Sequence, residues 1–353
     1  MRLDGRLEPV AERSGWHMQR LSRWAIAVLM VGQVQAALAQ RLELPAGAPT
    51  EPRELAIPRG GEPFDPYDAL HGSRSSPAQC STVPDGFWVE FDGKGDCIRA
   101  YSHGLRSAEN PVVLVYFSGD VMLKTRTAVR FIAPGYERRS PEGLQRDMAR
   151  WSREAGRPTI FLARPGMYGS SGDHNARREL REVMLMDRAL DAIKHRYRVS
   201  RFILAGQSGG GQIAAALLNR RPDISAMALS SALLSVREVT RHWDRRRTVQ
   251  TTNIQALHDP IDHVGGIPTQ PRPSIVVLSD REDRIVPYES QLAYVRRLQA
   301  TGFEPLHVLM TAADKTRHGL ARHGQRAAAM MARGEPIATI RAELEKQASQ
   351  ASP

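Results

Sequence analysis

The run Gly206-Gln-Ser-Gly-Gly210 places a serine, Ser208, between small neighbours in a pattern typical of a nucleophile. Apolar residues before the run predict a strand, and residues 213–218 after it predict a helix. On such a sharp turn the serine backbone is strained, and side chains at Gly206 or Gly210 would clash. The turn lifts the serine oxygen above the sheet. It also aims the Gly209 N–H and the helix N-terminus at developing negative charge.

A serine hydroxyl needs a base to remove its proton, and the base needs an acid to orient it. The apolar residues 275–278 predict a strand, and three carboxylates follow it: Asp280, Glu282 and Asp283. Asp280 comes directly after the strand, whereas Asp283 lies where the loop has room to turn across the top of the sheet. We therefore expect Asp283 to be the acid, with Asp280 and Glu282 as the alternatives.

Two histidines compete for the role of the base. His318 follows the predicted strand 306–310 and a polar loop. His323 lies inside the next predicted helix, which would draw it away from the serine. We expect His318 to be the base, which gives the chain order Ser208, Asp283, His318.

With this turn and this chain order, residues 86–335 resemble the α/β-hydrolases. The resemblance implies an α/β fold with a mostly parallel sheet, helices on both faces, a small lid and no cofactor. It also implies a second oxyanion donor from the loop after an early strand, often with the sequence His-Gly. Ser118 replaces that histidine here, so the Asp120 N–H is the candidate donor beside Gly209. Alternatively, the Asp120 side chain only caps a turn.

A second glycine-rich segment, residues 164–174, is similar to the Arg-Gly-x-Gly-x-Ser loop of prolyl-oligopeptidase-like members of this family. It lacks a phosphate-loop lysine, which argues against nucleotide binding. We expect the segment to shape the rim of the pocket. Ser170 and Ser171 lack the strand–turn–helix context, so neither is a candidate nucleophile. The run from His258 to His263 fits no standard ligand spacing and contains Pro260, so we expect no metal site.

Short apolar runs alternate with helical patterns along the chain, and this independently predicts a parallel sheet covered on both faces. Residues 40–85, rich in Pro, Gly and charge, predict an extended or poorly ordered leader. Residues 233–272 predict either a small lid or a solvated connection, and residues 336–353 a C-terminal helix or tail. The predicted strands are 112–117, 159–163, 202–205, 226–229, 275–278 and 306–310, and the predicted helices are 142–151, 178–195, 211–219 and 288–299.

The N-terminal residues 1–39 have the features of a signal peptide. Two arginines precede a short apolar stretch that ends in Ala37-Leu-Ala39, so we expect cleavage after Ala39 and a mature chain that begins at Gln40. Met18 is an alternative start that would give a more compact signal. The other interpretation is an uncleaved anchor or a buried helix. Cleavage predicts a periplasmic or secreted protein, with the membrane involved only through the signal peptide.

Export would place Cys80 and Cys97 in an oxidising compartment, where a disulfide persists. Residues 89–91, a glycine-containing turn and residues 97–101 predict a β-hairpin, and Cys80 can return beside its second strand. We expect the two cysteines to be bonded, with two unpaired buried thiols as the alternative.

The 353 residues carry 49 Lys and Arg against 38 Asp and Glu, a formal charge of +11. Arginine is spread evenly, as in a genome-wide composition bias, so we expect no nucleic-acid binding. The sequence thus predicts an exported serine hydrolase that cleaves an acyl ester of a small-molecule or peptide substrate. Too few residues precede the predicted core for a propeller domain, which favours an ester over a peptide. A peptidase or aminoacyl amidase, and a non-catalytic Arg-rich binder of an anionic polymer, are the alternatives. The oligomeric state stays open.

Overall fold

A computed structural model of the chain describes residues 42–106 and 110–350. The predicted signal peptide, residues 1–39, lies outside the described residues, as do Met18 and the cleavage site after Ala39. None of the helices in the described ranges has the length and apolar character that a membrane span requires.

From Pro141 onward, strands and helices alternate as far as the last strand, and the described residues include three short 3₁₀ turns at His174–Ala176, Ile254–Ala256 and Pro260–Gly266. The strands are β1 (Glu43–Leu44), β2 (Arg53–Glu54), β3 (Ser73–Arg74), β4 (Gly86–Phe91), β5 (Lys94–His103), β6 (Asn110–Phe117), β7 (Met122–Lys124), β8 (Arg130–Ile132), β9 (Thr159–Leu162), β10 (Val199–Gln207), β11 (Ile224–Ser230), β12 (Ser274–Ser279) and β13 (Leu306–Leu309). The helices are α1 (Pro66–His71), α2 (Pro77–Cys80), α3 (Pro141–Ala155), α4 (Leu180–Tyr197), α5 (Gly209–Leu218), α6 (Val236–Asp244), α7 (Tyr288–Ala300), α8 (Ala321–Ala332) and α9 (Ile337–Gln350).

Eight strands form one twisted sheet in the order β13-β12-β11-β10-β6-β9-β5-β4. The pairs from β13 to β9 are all parallel, whereas β5 runs antiparallel to β9 and to β4. The six predicted strands correspond to β6 and β9–β13. The α/β fold with a mostly parallel sheet is therefore confirmed.

The sheet lies between two apolar layers, because its buried strands present side chains to both faces. On one face, Leu144 and Trp151 of α3 pack in the same cluster as the alanines of α8. On the other, Val183 and Leu190 of α4 share a cluster with α5 and α7. This two-sided burial fixes the carboxyl ends of the parallel strands at one edge, where loops carry polar residues.

Helix α3 shows how local sequence sets the element boundaries. The Ser140 side chain accepts a hydrogen bond from the Gly143 N–H at the N-cap, and Pro141 occupies the first turn. Gly156 ends the helix in the left-handed conformation at φ 61°. The helix thereby presents an apolar face, which contains Leu144 and Met148, to the sheet.

Residues 42–85 differ from the predicted leader, because they fold onto the domain. Phe64 is only 1% exposed and packs edge-on against Tyr101 and Tyr168. Leu70 of α1 is fully buried. The partners of these apolar residues lie far away in sequence, so the Pro- and Gly-rich composition of the segment did not reveal its packing.

The insertion 233–272 between β11 and β12 is folded, with α6 and two of the 3₁₀ turns. Leu233, Val236 and Val239 form a small apolar cluster with Val286, which lies in the loop after β12. Trp243 Nε1 donates a hydrogen bond to the Ile285 carbonyl over 2.9 Å. The insertion is thus attached to the loop that carries Asp283.

Cys80 and Cys97 form a disulfide with their Cα atoms 5.4 Å apart, as predicted. Strands β4 and β5 pair antiparallel as the predicted hairpin, with Trp88 opposite Cys97. The disulfide therefore joins the segment 42–85 to β5, the strand next to the edge strand β4.

We predict that this disulfide stabilises the fold, because it closes a loop with a sequence separation of 17 residues. Its loss should lower the free energy of unfolding by ~3 kcal/mol. Urea denaturation with and without reductant measures this effect. The double variant Cys80→Ala/Cys97→Ala is the matched control, since reductant should leave its midpoint unchanged. A wild-type midpoint that does not respond to reductant would contradict the prediction.

Candidate active site

Ser208 occupies the turn between β10 and α5, at the carboxyl end of the central strand. Its backbone angles are φ 53° and ψ −122°, which a non-glycine residue rarely adopts. The Ser208 carbonyl accepts hydrogen bonds from the Gly211 and Gln212 N–H groups. The first N–H groups of α5 have no acceptor within the helix, so its N-terminus is a local source of positive potential beside the serine.

Close contacts explain why glycines surround the serine. A Cβ on Gly206 would lie 2.6 Å from the Gly210 carbonyl oxygen, and a Cβ on Gly210 would lie 2.2 Å from the Phe117 carbonyl oxygen. A Cβ on Gly119 would lie 3.0 Å from the Ser208 Cβ. The ends of β6 and β10 and the start of α5 therefore meet at contact distance, and the turn after β6 lies directly against the serine.

Asp283 and His318 are paired at the same edge of the sheet. His318 Nδ1 lies 2.9 Å from Asp283 Oδ2 and 3.0 Å from Asp283 Oδ1. Asp283 Oδ1 also accepts hydrogen bonds from the Ile285 and Val286 N–H groups over 2.8 and 2.9 Å. The Asp283 side chain is fully buried. Such an arrangement fixes the direction of the imidazole.

The other two carboxylates of this loop lie elsewhere. Asp280 is 1% exposed, and its Oδ2 accepts from the Ala312 N–H over 2.8 Å and lies 2.9 Å from Arg317 Nε. Its Oδ1 accepts from the Glu282 N–H. Asp280 therefore joins the loops after β12 and β13. The Glu282 side chain is 70% exposed.

The loop that carries His318 is held from two sides. Asp314 Oδ1 accepts hydrogen bonds from the backbone N–H groups of His318 and Gly319 over 3.1 and 2.6 Å. Gln207 Nε2 donates to the His318 carbonyl over 2.8 Å. Gln207, which precedes Ser208, thus couples the serine turn to the histidine loop. Sequence reasoning missed this residue, since only its place inside the serine motif marked it.

His323 lies in α8 and faces away from this group. Its Nδ1 is 2.7 Å from Gln347 Oε1 of the C-terminal helix α9. The structure thus brings Asp283 to His318 and places Asp280 and His323 in other contacts.

The Asp120 side chain, 11% exposed, binds three arginines instead of capping a turn. Its Oδ1 accepts from Arg164 Nη1 over 2.8 Å, and its Oδ2 accepts from Arg177 Nε and Arg178 Nη2 over 3.1 and 2.6 Å. A Cβ on Gly209 would lie 2.2 Å from Asp120 Oδ1. The Asp120 carboxylate therefore packs against the first residue of α5.

Burial raises the pKa of Asp120, but Arg178, Arg164 and Arg177 attract its negative charge and hold the pKa well below its usual range. Arg164 is fully buried and also binds Glu182 Oε1 over 2.8 Å. These three guanidinium groups and two carboxylates form the arginine cluster, which carries one excess positive charge. Sequence reasoning assigned no role to its arginines. The one signal was Arg164, at the end of a buried strand.

The glycine-rich segment 164–174 is tied to strand β5, the strand that carries Cys97. Ser170 Oγ accepts from the Arg99 N–H over 2.9 Å, and Ser171 Oγ accepts from the Cys97 N–H over 2.8 Å. Both serines are buried, which suits the structural role expected for them.

No group of three or more His, Cys, Asp or Glu side chains is arranged to hold a metal ion in residues 42–106 and 110–350. The rings of His258 and His263 stack with their centroids 4.5 Å apart, so they contact each other face to face.

Residues 170–333 match the sequence profile of the prolyl oligopeptidase family. This range contains Ser208, Asp283 and His318. No curated protein sequence gives a significant match to the chain.

Solved structures have similar folds at low sequence identity. The structure titled AbyA5 is 18% identical, has a TM-score of 0.51 and matches over 77% of this chain and 74% of its own. An esterase of Pyrococcus furiosus is 11% identical at a TM-score of 0.48, over 74% and 93% of the two chains. An acylaminoacyl peptidase of Pyrococcus horikoshii is 12% identical at a TM-score of 0.45, over 70% of this chain and 40% of its own. By its mostly parallel sheet and its strand–turn–helix serine, the chain has an α/β-hydrolase fold.

Proposed function

We propose that this α/β-hydrolase is a serine hydrolase that cleaves an acyl ester through a covalent acyl-enzyme. The observation that carries the proposal is the strained turn at Ser208, φ 53°, at the same sheet edge as the paired Asp283 and His318. A buried carboxylate that holds one imidazole nitrogen leaves the other nitrogen to accept the serine proton.

In the first half-reaction, Ser208 Oγ attacks the acyl carbon while His318 Nε2 takes the hydroxyl proton. The ester C–O bond then breaks, and His318 returns the proton to the leaving alcohol. In the second half-reaction, water attacks the acyl carbon and gives a proton to His318, which passes it to Ser208 Oγ as the acid is released. Asp283 stabilises the imidazolium in both steps.

The negative charge on the tetrahedral intermediate needs donors that are already in place. We assign this role to the backbone N–H groups of Gly209 and Asp120. Gly209 begins α5, and Gly119, before Asp120, lies against Ser208. The arginine cluster supports the assignment, because it compensates the Asp120 carboxylate that would otherwise repel an oxyanion nearby.

An ester is proposed before an amide because an alkoxide is a better leaving group than an unprotonated amide nitrogen, so ester cleavage depends less on protonation by His318. A peptidase or aminoacyl amidase is the second candidate. The match of residues 170–333 to the prolyl oligopeptidase family favours it. Rates with matched p-nitrophenyl esters and aminoacyl p-nitroanilides distinguish the two bonds. Faster hydrolysis of the anilides would favour the peptidase or aminoacyl amidase over the ester hydrolase.

The variant Ser208→Ala should lose at least ~10³-fold in kcat, since no other group supplies the nucleophile. A fluorophosphonate probe should label the wild-type chain at Ser208 and leave the variant unlabelled, as seen by peptide mass spectrometry. The fold should persist, because the turn is shaped by Gly206 and Gly210. Absence of labelling in folded wild-type protein would favour a non-catalytic binder instead.

Asp283→Asn and Asp280→Asn should separate catalysis from stability. The first should lower kcat by roughly 10³- to 10⁴-fold, because an amide favours the wrong imidazole tautomer. The second should change kcat little but lower the free energy of unfolding by about 1–3 kcal/mol, since Asp280 is buried against Arg317. Ester kinetics and urea denaturation measure the two effects. The opposite pattern would exchange the roles of the two residues.

We further propose export, with cleavage after Ala39. The exported chain should begin at Gln40, and its intact mass should rise by two protons on reduction of the Cys80–Cys97 bond. Mass spectrometry of the periplasmic and secreted fractions measures both values. An exported chain that retains residues 24–39 would contradict the cleavage.

A further inference from the structure

A cavity of about 600 Å³ lies between the β7–β8 hairpin and the insertion 233–272, and it is lined mainly by cations. Lys124 and Arg126, from the β7–β8 hairpin, form one wall. Arg245, Arg246 and Arg247, which follow α6, form the opposite wall together with Trp243. We call this space the cationic cavity.

The cations of this cavity lack carboxylate partners almost entirely. Of the five, Arg247 alone forms an ion pair within the part of the chain that the structure describes, with Asp244 Oδ1 at 3.3 Å. Lys124 Nζ donates to the Thr251 hydroxyl over 3.0 Å. By contrast, the buried Arg164 and Arg221 each have carboxylates at hydrogen-bonding distance. A concave site with uncompensated positive charge attracts anions.

The walls of the cavity are joined to the loops that carry the candidate catalytic groups. Trp243 binds the carbonyl of Ile285, whose N–H binds Asp283. On the other side, three residues separate Lys124 from Asp120, which packs against Gly209. The cationic cavity is therefore flanked by the acid loop and by the turn that supplies the candidate oxyanion donor.

Lys124 also borders a second cavity of about 230 Å³, which Arg130 and Arg177 line. Four cations face its ammonium: Arg130 of β8, Arg177 and Arg178 of the loop before α4, and Arg247. Partial burial, together with repulsion from these arginines, lowers the pKa of Lys124 to about 8. The positive charges around Lys124 therefore repel one another, and a bound anion would relieve this repulsion.

We infer that the substrate of this hydrolase carries an oxyanion group, a carboxylate or a phosphate, which the cationic cavity binds while Ser208 attacks the acyl carbon. This inference rests on the proposed function and specifies its substrate class. Arginine favours carboxylate and phosphate because its planar fork matches both groups. The half-buried Lys124 adds a point charge between the walls.

Matched substrate pairs test this inference. Each pair consists of the mono-p-nitrophenyl ester of a straight-chain dicarboxylic acid and the p-nitrophenyl ester of the monocarboxylic acid of equal length. At the chain length that spans from Ser208 to the cavity, wild-type kcat/KM should favour the anionic ester by roughly tenfold or more. Because both esters have the same leaving group and need the same triad, their ratio isolates recognition of the anion.

Lys124→Gln should lower this ratio by roughly tenfold. Lys346→Gln is the matched control, because it removes the same charge from an exposed position on α9, outside the cavity. It should leave the ratio and the rates unchanged. Inorganic phosphate and the free dicarboxylate, added as inhibitors, identify which oxyanion binds more tightly.

The ratio should also depend on pH. Lys124 is cationic below its pKa of about 8 and neutral above it, so the preference for the anionic ester should be present at pH 7 and fall as pH rises through 8. The substrate carboxylate stays ionised over this range. Lys124→Gln should remove this fall.

Equal kcat/KM for every pair in wild-type protein, with no effect of Lys124→Gln, would overturn the inference while Ser208-dependent hydrolysis of neutral esters continued. Absence of hydrolysis of both esters in each pair, together with absence of fluorophosphonate labelling, would overturn the proposed function itself. The two failures are therefore distinguishable.

Discussion

The close approach of helix α5 to the end of strand β6 is the constraint on which the rest of the candidate active site depends. A side chain at Gly210 would lie 2.2 Å from the Phe117 carbonyl oxygen. This approach lets the chain pass from strand to helix in one residue, which forces Ser208 to a positive φ. Backbone strain of this kind costs on the order of 1–3 kcal/mol and persists only where packing determines it. Parallel pairing of β10 with β6 and β11, up to the residues adjacent to Ser208, supplies that packing.

The same turn also explains the buried charges. Because Asp120 packs against Gly209, its carboxylate lies where an oxyanion hole needs positive potential. A lone carboxylate there would oppose catalysis and would be costly to bury. Arg164, Arg177 and Arg178 compensate it. The arginine cluster therefore stabilises the turn after β6 without leaving a net negative field at Ser208.

Much of the fold and part of the candidate site could be predicted from the sequence, because their signals are local. The strand–turn–helix around Ser208 is encoded in a few consecutive residues, and the six parallel strands are continuous apolar runs. The prediction of the Cys80–Cys97 disulfide used only the expected oxidising compartment and the predicted β-hairpin. The choice of Asp283 over Asp280 used loop position, and the structure places Asp283 at His318.

Contacts between residues far apart in sequence escaped this reasoning. The ion pair of Arg164 with Asp120 joins residues 44 apart, and the neighbourhood of neither residue identifies the other as its partner. Phe64 lies in a Pro- and Gly-rich segment, yet its aromatic partners come from three other parts of the chain. The pattern of a single segment carries no information about such partners. Only the assembled sheet brings them together.

The cationic cavity shows the same limit for charge. Along the sequence, arginine is spread evenly, and this spread argues for composition bias rather than a binding surface. In the fold, the Thr248 N–H donates to the Arg126 carbonyl across a separation of 122 residues. This contact holds together the two basic segments that line the cationic cavity. The arginine cluster carries one excess positive charge, whereas four of the five cations of the cationic cavity form no ion pair among the described residues. Such an arrangement attracts an anionic group to the cationic cavity, while the electrostatic potential at Ser208 still favours an oxyanion. In the proposed reaction, recognition of the anion and stabilisation of the oxyanion would then use separate positive charges.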